Sequence, residues 1–181
     1  MSLLILLAGA VCCPLFLVLI VVVILYNSLV GKKNQCENVF ASLDAMLKKR
    51  YDLIPNLVAT VQGYMQHERE TLTKITELRG QAISPQASAD AKVGIDNQMA
   101  KLLGGLMISV EKYPDLKASQ SFLQLQASLN DIEEQIAAAR RAYNAMVTEY
   151  NNAVEMVPTN ILAGMMGYQR RALFEIGESE R

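Results

Sequence analysis

The chain has 181 residues, of which 51% are hydrophobic, and its formal net charge is −1. All 17 Lys and Arg residues and all 18 Asp and Glu residues follow residue 31. Because the charges balance, the composition excludes a broad basic face for nucleic acid. The three cysteines provide no disulfide framework, which fits a reducing compartment.

The uncharged N-terminal segment predicts a membrane anchor. The apolar run from Leu3 to Tyr26 would span roughly 30–35 Å as a helix, enough to cross a bilayer core of about 30 Å. A cleaved signal peptide is less favoured, because no basic residue precedes the run and the run is too long. Lipoprotein processing at Cys12 or Cys13 is also less favoured, because the preceding residues match the usual pattern poorly. We therefore predict an uncleaved transmembrane anchor within residues 1–31.

The first positive side chains predict the orientation of this anchor. Lys32 and Lys33 directly follow the apolar run, and Lys48, Lys49 and Arg50 come next. Basic residues close to a membrane span prefer the cytoplasmic side. We expect a single-pass protein with its N-terminus outside and its C-terminal domain in the cytoplasm.

Residues 34–79 are predicted to form one long helix, because apolar residues follow two lines at heptad spacing. These lines contain Phe40, Leu47, Ile54, Val61 and Ile75, and Leu43, Leu57, Tyr64 and Leu78. Arg50 and Glu68 interrupt the lines. They either pair at the edge of the stripe, which we favour, or provide a buried charge that sets register or recognises a partner. Pro55 lies mid-helix and predicts a kink.

Two more helices are predicted after a loop at residues 80–89. A shorter helix covers residues 90–112, and a coiled-coil-like helix of about 60 Å covers residues 118–157. Its main line repeats every seven residues and contains Phe122, Leu129, Ile136, Tyr143, Tyr150 and Val157. Asn144 and Asn151 directly follow the two tyrosines. We favour core tyrosines beside a polar flank over a ligand site.

The chain therefore divides into an anchor at 1–31, a helical bundle at 32–158 and a C-terminal tail at 159–181. The tail combines Arg170 and Arg171 with Phe174 and other apolar residues. It predicts either a short element that covers the bundle, which we favour, or a segment that docks on a partner or a membrane surface.

Residues typical of catalysis or metal binding are sparse. The single histidine, His67, has no second His or Cys at metal-ligand spacing. There is no glycine-rich phosphate loop and no recognisable nucleophile motif. We expect no catalytic residues, no cofactor and no metal, and we predict that the protein is not an enzyme.

From Tyr26 onward the chain resembles the LemA family of bacterial membrane proteins. The matching motifs occur in order and without large gaps over about residues 26–176. They are Tyr26–Val30, Arg50–Val58, Tyr113–Ala118, Phe122–Gln126 and Ile136–Asn144, followed by Tyr150-Asn151, Pro158 and Asn160. The ending from Arg171 to Glu175 resembles a variant of the family's aromatic-rich C-terminus.

The resemblance implies a bacterial inner-membrane protein with an outside N-terminus and a cytoplasmic bundle of four antiparallel helices. Together with the residue patterns, it predicts an all-α fold. An N-terminal transmembrane helix precedes an elongated antiparallel bundle. This bundle has either three long helices and a short C-terminal element or four helices.

We predict a membrane-anchored scaffold that self-assembles and organises or shapes the membrane, with lipid and further copies of the chain as partners. The long apolar lines exceed what the short middle helix can cover, which favours an interface. The alternative is an adaptor that binds an envelope protease or a sensor. The candidate interaction residues are Phe40, Leu47, Arg50, Tyr51, Asp52, Pro55, Asn56, Tyr143, Asn144, Tyr150, Asn151, Arg170, Arg171 and Phe174.

Overall fold

The computed structural model describes residues 2–174, and their side chains from Leu15 onward. In this range the chain forms helices and turns and no strand, which confirms the predicted all-α class. The α-helices are α1 (Ser2–Gln62), α2 (Arg69–Ala82), α3 (Ala89–Val110), α4 (Pro114–Lys117), α5 (Gln120–Glu155) and α6 (Thr159–Met165). A 3₁₀ turn at Gln66–Glu68 precedes α2.

The prediction of one helix over residues 34–79 is wrong, because α1 ends at Gln62. The backbone N–H groups of Tyr64 and Met65 both donate to the carbonyl of Val61, at 3.0 and 2.9 Å, and close a turn. Gly63 starts this turn, where its low helix propensity favours a break. The helix continues through Pro55, so the division comes eight residues after the proline.

Helix α2 folds back along α1 as an antiparallel partner. Its apolar side chains Leu72, Ile75 and Leu78 are buried. Arg79, near the end of α2, donates from Nε to the carbonyl of Tyr51 in α1 at 2.8 Å. The reversal therefore buries apolar side chains of the stripe on both helices and supplies the fourth helix of the bundle. Tyr64, predicted on the same stripe, lies in the turn and is 46% exposed.

Helix α3 begins where the sequence provides a cap. The Ser88 side chain accepts a hydrogen bond from the backbone N–H of Ala91 at 3.2 Å, which satisfies one free donor of the first turn. The loop before it, residues 83–88, contains Ser84 and Pro85. The predictions of helices near 90–112 and 118–157 are confirmed by α3 and α5.

The heptad line on α5 forms part of the core. Its buried members are Phe122, Leu129, Ile136, Tyr143 and Tyr150. Val157, the next position on the line, is 78% exposed because α5 ends at Glu155. The core interpretation of both tyrosines therefore agrees with their burial.

The chain separates into two compact units, and α1 and α5 contribute to both. We name them the anchor unit, residues 2–37 with 146–171, and the bundle unit, residues 38–145 with 172–174. In the bundle unit α1 and α5 are antiparallel, because Phe40 contacts Tyr143 and Arg50 contacts Glu133. The proposed boundary after residue 31 lies inside α1, which continues without interruption.

The N-terminal part of α1 is long and apolar enough to cross a membrane. The side chains from Leu15 to Ile24 are 39–63% exposed. Full burial of one such side chain contributes about 1.5–3 kcal/mol relative to full exposure, and each of these side chains forgoes part of that amount in water. This exposure is compatible with a membrane anchor, as the sequence predicts.

Candidate functional site

The bundle unit contains a buried network of charged side chains. Arg50 of α1 and Asp96 of α3 are both 0% exposed. One guanidinium nitrogen of Arg50 contacts Asp96 Oδ1, and the other donates to Glu133 Oε2 at 3.0 Å. Arg140 donates to Asp96 Oδ2 at 2.6 Å. Three helices therefore meet at one carboxylate, with two positive and two negative side chains.

The position of Arg50 explains its burial. It lies on the apolar stripe of α1, three residues after Leu47 and four before Ile54, both of which are buried. A charge at a core position is stable only when partners replace the lost water. The alternative interpretation of Arg50, a buried charge at the core, is therefore the one that matches the structure.

Tyr51 lies beside this network. Its hydroxyl is 3.5 Å from Asp96 Oδ1, and the Arg50 guanidinium lies 5.7 Å from the centre of its ring. Burial raises the pKa of Tyr51, and the charge of Arg50 opposes that rise. Burial also lowers the pKa of Arg50, and Glu133 opposes this most strongly. Tyr51 therefore contributes a neutral phenol to a charge-balanced cluster.

Pro55 explains a further contact of Tyr51. A proline has no N–H, so the helix bond to the carbonyl four residues earlier is missing. That carbonyl belongs to Tyr51, and it accepts from Arg79 of α2 at 2.8 Å. The proline of α1 thus frees an acceptor that α2 uses, which ties the two helices together.

The predicted interaction motif in α1 divides into a buried and an exposed part. Arg50 and Tyr51 are buried in the network, whereas Asp52, Pro55 and Asn56 are exposed. The spacing of these three places them on one face of α1. We name Asp52, Pro55 and Asn56 the exposed face. Only these residues of the motif lie where a partner could touch them.

Three network residues were not predicted from the sequence: Asp96, Glu133 and Arg140. Asp96 had a detectable signal, because it lies three residues after Val93 and three before Met99, and both are buried. An acidic residue within an apolar face of a helix indicates a buried charge that needs a cation. Glu133 and Arg140 had no comparable signal, since α5 carries many charges along its flanks.

A cluster of aromatic rings lies in the same unit. The ring of Tyr143 is 5.6 Å from that of Phe40 and 5.4 Å from that of Phe174, the second pair being edge-on. The guanidinium of Arg140 lies 5.8 Å from the Phe174 ring. Leu47, also among the predicted interaction residues, is fully buried. These residues form packing inside the fold, which leaves little of them to contact another molecule.

Asn144 holds the tail in the bundle unit. Its side-chain nitrogen donates to the carbonyl of Phe174 at 3.0 Å, and its oxygen accepts from the N–H of Phe174 at 3.0 Å. The side-chain amide of Asn144 thus provides hydrogen-bond partners for both main-chain polar groups of Phe174. We name this arrangement an amide clamp.

A second amide clamp lies in the anchor unit. Asn151 donates to the carbonyl of Arg171 at 3.0 Å and accepts from its N–H at 2.9 Å. The Arg171 side chain pairs with Glu37 at 2.9 Å and lies 5.3 Å from the ring centre of Tyr150. The neighbouring Arg170 is exposed and pairs with Glu155 at 3.0 Å. The polar flank predicted beside the tyrosines therefore binds the protein's own tail.

An open groove lies where α1 turns into α2. Its volume is about 680 Å³, and Val58, Met65 and Leu72 line it together with polar residues such as Arg69. Among the residues whose side chains are described, no group of three or more His, Cys, Asp and Glu is arranged to hold a metal ion. The groove therefore offers a lining of apolar and polar side chains beside the α1–α2 turn.

Comparisons with known proteins match most of the chain. The model of the LemA family matches residues 39–181. Protein LemA of Metamycoplasma hominis is 30% identical over 155 residues, which cover 86% of this chain and 71% of the relative.

Two magnetosome proteins are also similar. Magnetosome protein MamQ of Magnetospirillum gryphiswaldense is 24% identical over 174 residues, covering 82% of this chain and 64% of the relative. Magnetosome protein MamQ 2 of Paramagnetospirillum magneticum is 25% identical over 175 residues, with 83% and 64% covered. The chain thus spans less than two thirds of the length of these magnetosome relatives.

Replacing Asp96 with Asn is expected to destabilise the protein strongly. The change leaves two buried guanidinium groups facing a neutral amide, which costs about 3–5 kcal/mol and lowers the melting temperature by about 6–20 °C. Thermal unfolding followed by circular dichroism in detergent measures this. The matched control is Asp52→Asn on the exposed face, which should change stability by less than about 0.5 kcal/mol. Equal melting temperatures for the two variants would contradict the role of the network.

Replacing Asn151 with Ala is expected to release the tail locally. The main-chain N–H and carbonyl of Arg171 lose their partner, at a cost of about 1–3 kcal/mol, so amide exchange at Arg171 should rise about 5–150-fold. Hydrogen–deuterium exchange with peptide mapping measures the change. Asn152→Ala is the matched control, because Asn152 is the next residue and is exposed. Similar exchange in both variants would show that the clamp does not hold the tail.

Proposed function

The chain belongs to the LemA family, and on this premise we propose that it is a membrane-anchored helical scaffold that self-assembles at the bacterial inner membrane. The scaffold organises or shapes the membrane without catalysis. The observation that carries the proposal is α1 itself, which is one continuous helix from Ser2 to Gln62. Its first part is an exposed apolar span, and its last part belongs to the buried core of the bundle unit.

The continuity of α1 supports a scaffold because no loop separates the span from the folded part. In a flexibly tethered domain, a loop would absorb forces between membrane and protein. Here the helix that enters the bilayer is the same helix that carries Arg50 in the buried ion network. The network opposes sliding of α1 along its neighbours, because a shift would separate Arg50 from Asp96.

Anchoring also favours association between copies. Proteins confined to one bilayer meet at a higher effective concentration than free proteins, so weak contacts are sufficient. The residues best placed for such contacts are those of the exposed face, Asp52, Pro55 and Asn56. Tyr143 and Tyr150 are buried, and they would support assembly through the stability of the fold.

An adaptor that binds an envelope protease or a sensor is the second candidate function. The groove at the turn between α1 and α2 favours it, because a volume of about 680 Å³ with mixed apolar and polar lining suits a peptide or a side-chain cluster. The exposed face would then contact a partner protein and not another copy of the chain. The two functions predict different masses for the purified protein: large assemblies for the scaffold, and monomers or small species for the adaptor.

The scaffold predicts large, regular assemblies of the full-length protein in detergent or lipid. Light scattering and negative-stain microscopy measure their mass and form, beside a truncated chain that starts at Lys32. The double variant Asp52→Arg, Asn56→Arg should lower the assembled fraction by about tenfold or more, because each new positive charge opposes the same charge on the next copy.

The matched control for this experiment carries the same charge changes elsewhere. Asp115→Arg with Gln98→Arg alters two exposed positions outside the exposed face, and this variant should assemble normally. Monomers or small species from the full-length and the truncated chain would overturn the scaffold. That result would favour the adaptor, and the next step would be the isolation of a partner.

We further propose that the N-terminus lies outside and the C-terminal domain in the cytoplasm, on the basis of Lys32 and Lys33 at the end of the span. A fluorescent protein fused after Arg181 should fluoresce, and an alkaline phosphatase fused there should be inactive, because the phosphatase needs an oxidising compartment for its disulfides. Substituting Gln for both lysines should weaken this preference. An active phosphatase fusion on the unaltered chain would reverse the orientation.

A further inference from the structure

Four apolar side chains are exposed together where α5 leads into α6. They are Met156, Val157, Ile161 and Met165, which are 62%, 78%, 62% and 80% exposed. Ile161 and Met165 are four residues apart in α6 and lie on the same side of that helix. We name these four residues the α5–α6 corner. Such a group of neighbouring, well exposed apolar side chains marks a contact surface.

The corner lies at the level where the apolar span of α1 ends. Both belong to the anchor unit, and Lys32 Nζ is 2.9 Å from Glu149 Oε2 of α5. Ser28 and Lys32 line one depression together with Met156 and Val157. Ser28 is two residues after the end of the span, about 3 Å along the helix axis. A bilayer that surrounds the span would therefore have its polar boundary beside the corner.

The groups around the corner suit that boundary. Tyr26 ends the apolar span and is 46% exposed, and tyrosine is enriched where membranes meet water. Lys32 and Lys33 follow on α1, and Arg170 is exposed at the end of the unit. Apolar side chains flanked by basic residues are typical of segments that lie in a membrane interface. The basic side chains of this surface therefore suit lipid headgroups, and its apolar side chains suit the adjoining acyl chains.

We propose that the α5–α6 corner is a second membrane-contact site, which inserts its apolar side chains into the boundary between headgroups and acyl chains of the bilayer that α1 spans. The inference rests on the proposed anchor. It adds that the protein holds the membrane at two points, so that the bilayer restricts rotation of the anchor unit about the axis of α1. A single spanning helix would leave that rotation free.

The absence of tryptophan from the chain allows a direct test. Val157→Trp and Met165→Trp each introduce a single reporter at the corner, and Val21→Trp introduces one in the span. Ile108→Trp is the control, because Ile108 is 73% exposed but belongs to the bundle unit. Each full-length variant is placed in phosphatidylcholine and phosphatidylglycerol vesicles. The lipids carry bromine either near the headgroup or deep in the acyl chain, and bromine quenches tryptophan at contact distance.

The corner reporters should be quenched about twofold or more by shallow bromine, and less by deep bromine, because interfacial segments insert only about 5–10 Å. The Val21 reporter should be quenched most by deep bromine, and the Ile108 reporter little by either. Quenching of Val21 without quenching at the corner overturns the second contact and leaves the anchor intact. Blue-shifted but unquenched emission at the corner means that protein covers it, which also overturns the proposal. Absence of quenching at Val21 overturns the anchor and the corner together.

Discussion

The carboxylate of Asp96 is the group on which the bundle unit depends. It has no exposed surface, and each of its two oxygens contacts a guanidinium, one from Arg50 and one from Arg140. A buried carboxylate is tolerated only when cations and hydrogen bonds replace water. Successive side chains of an α-helix are rotated by about 100° about the helix axis. If α1 or α5 moved by one residue relative to α3, a different side chain would face Asp96 and the pairing would be lost. The network therefore specifies the register of three helices.

Main-chain groups that lack a helical partner impose a second constraint, and side chains on neighbouring elements meet it. Pro55 frees the carbonyl of Tyr51, which accepts from Arg79. Residues 168–174 of the tail form no helix, so their N–H and carbonyl groups need other partners. In each unit one asparagine of α5 provides both bonds for one tail residue. Polar side chains thus complete a fold whose apolar core is arranged by heptads.

These constraints connect to function through α1. The helix begins as an apolar span with exposed side chains and ends among buried ones, so its two parts are suited to different surroundings. The exposed face on α1 and the α5–α6 corner are two surfaces that the internal packing leaves available, and they support the proposals of self-assembly and of a second lipid contact.

Periodicity by itself determined the helical class, α3, α5 and the burial of Tyr143 and Tyr150, because these follow from spacing along one helix. The uncharged apolar run determined that the chain begins with a long apolar helix. Periodicity did not determine the reversal after Gln62, since a hairpin and a straight helix bury the same heptad positions. Nor did it determine the burial of Arg50, because that charge is stable only beside Asp96 on another helix. Periodicity also did not determine the amide clamps, because they depend on hydrogen bonds between the main chain of the tail and the side chains of Asn144 and Asn151. Such contacts join residues far apart in the chain, and only the tertiary structure decides them.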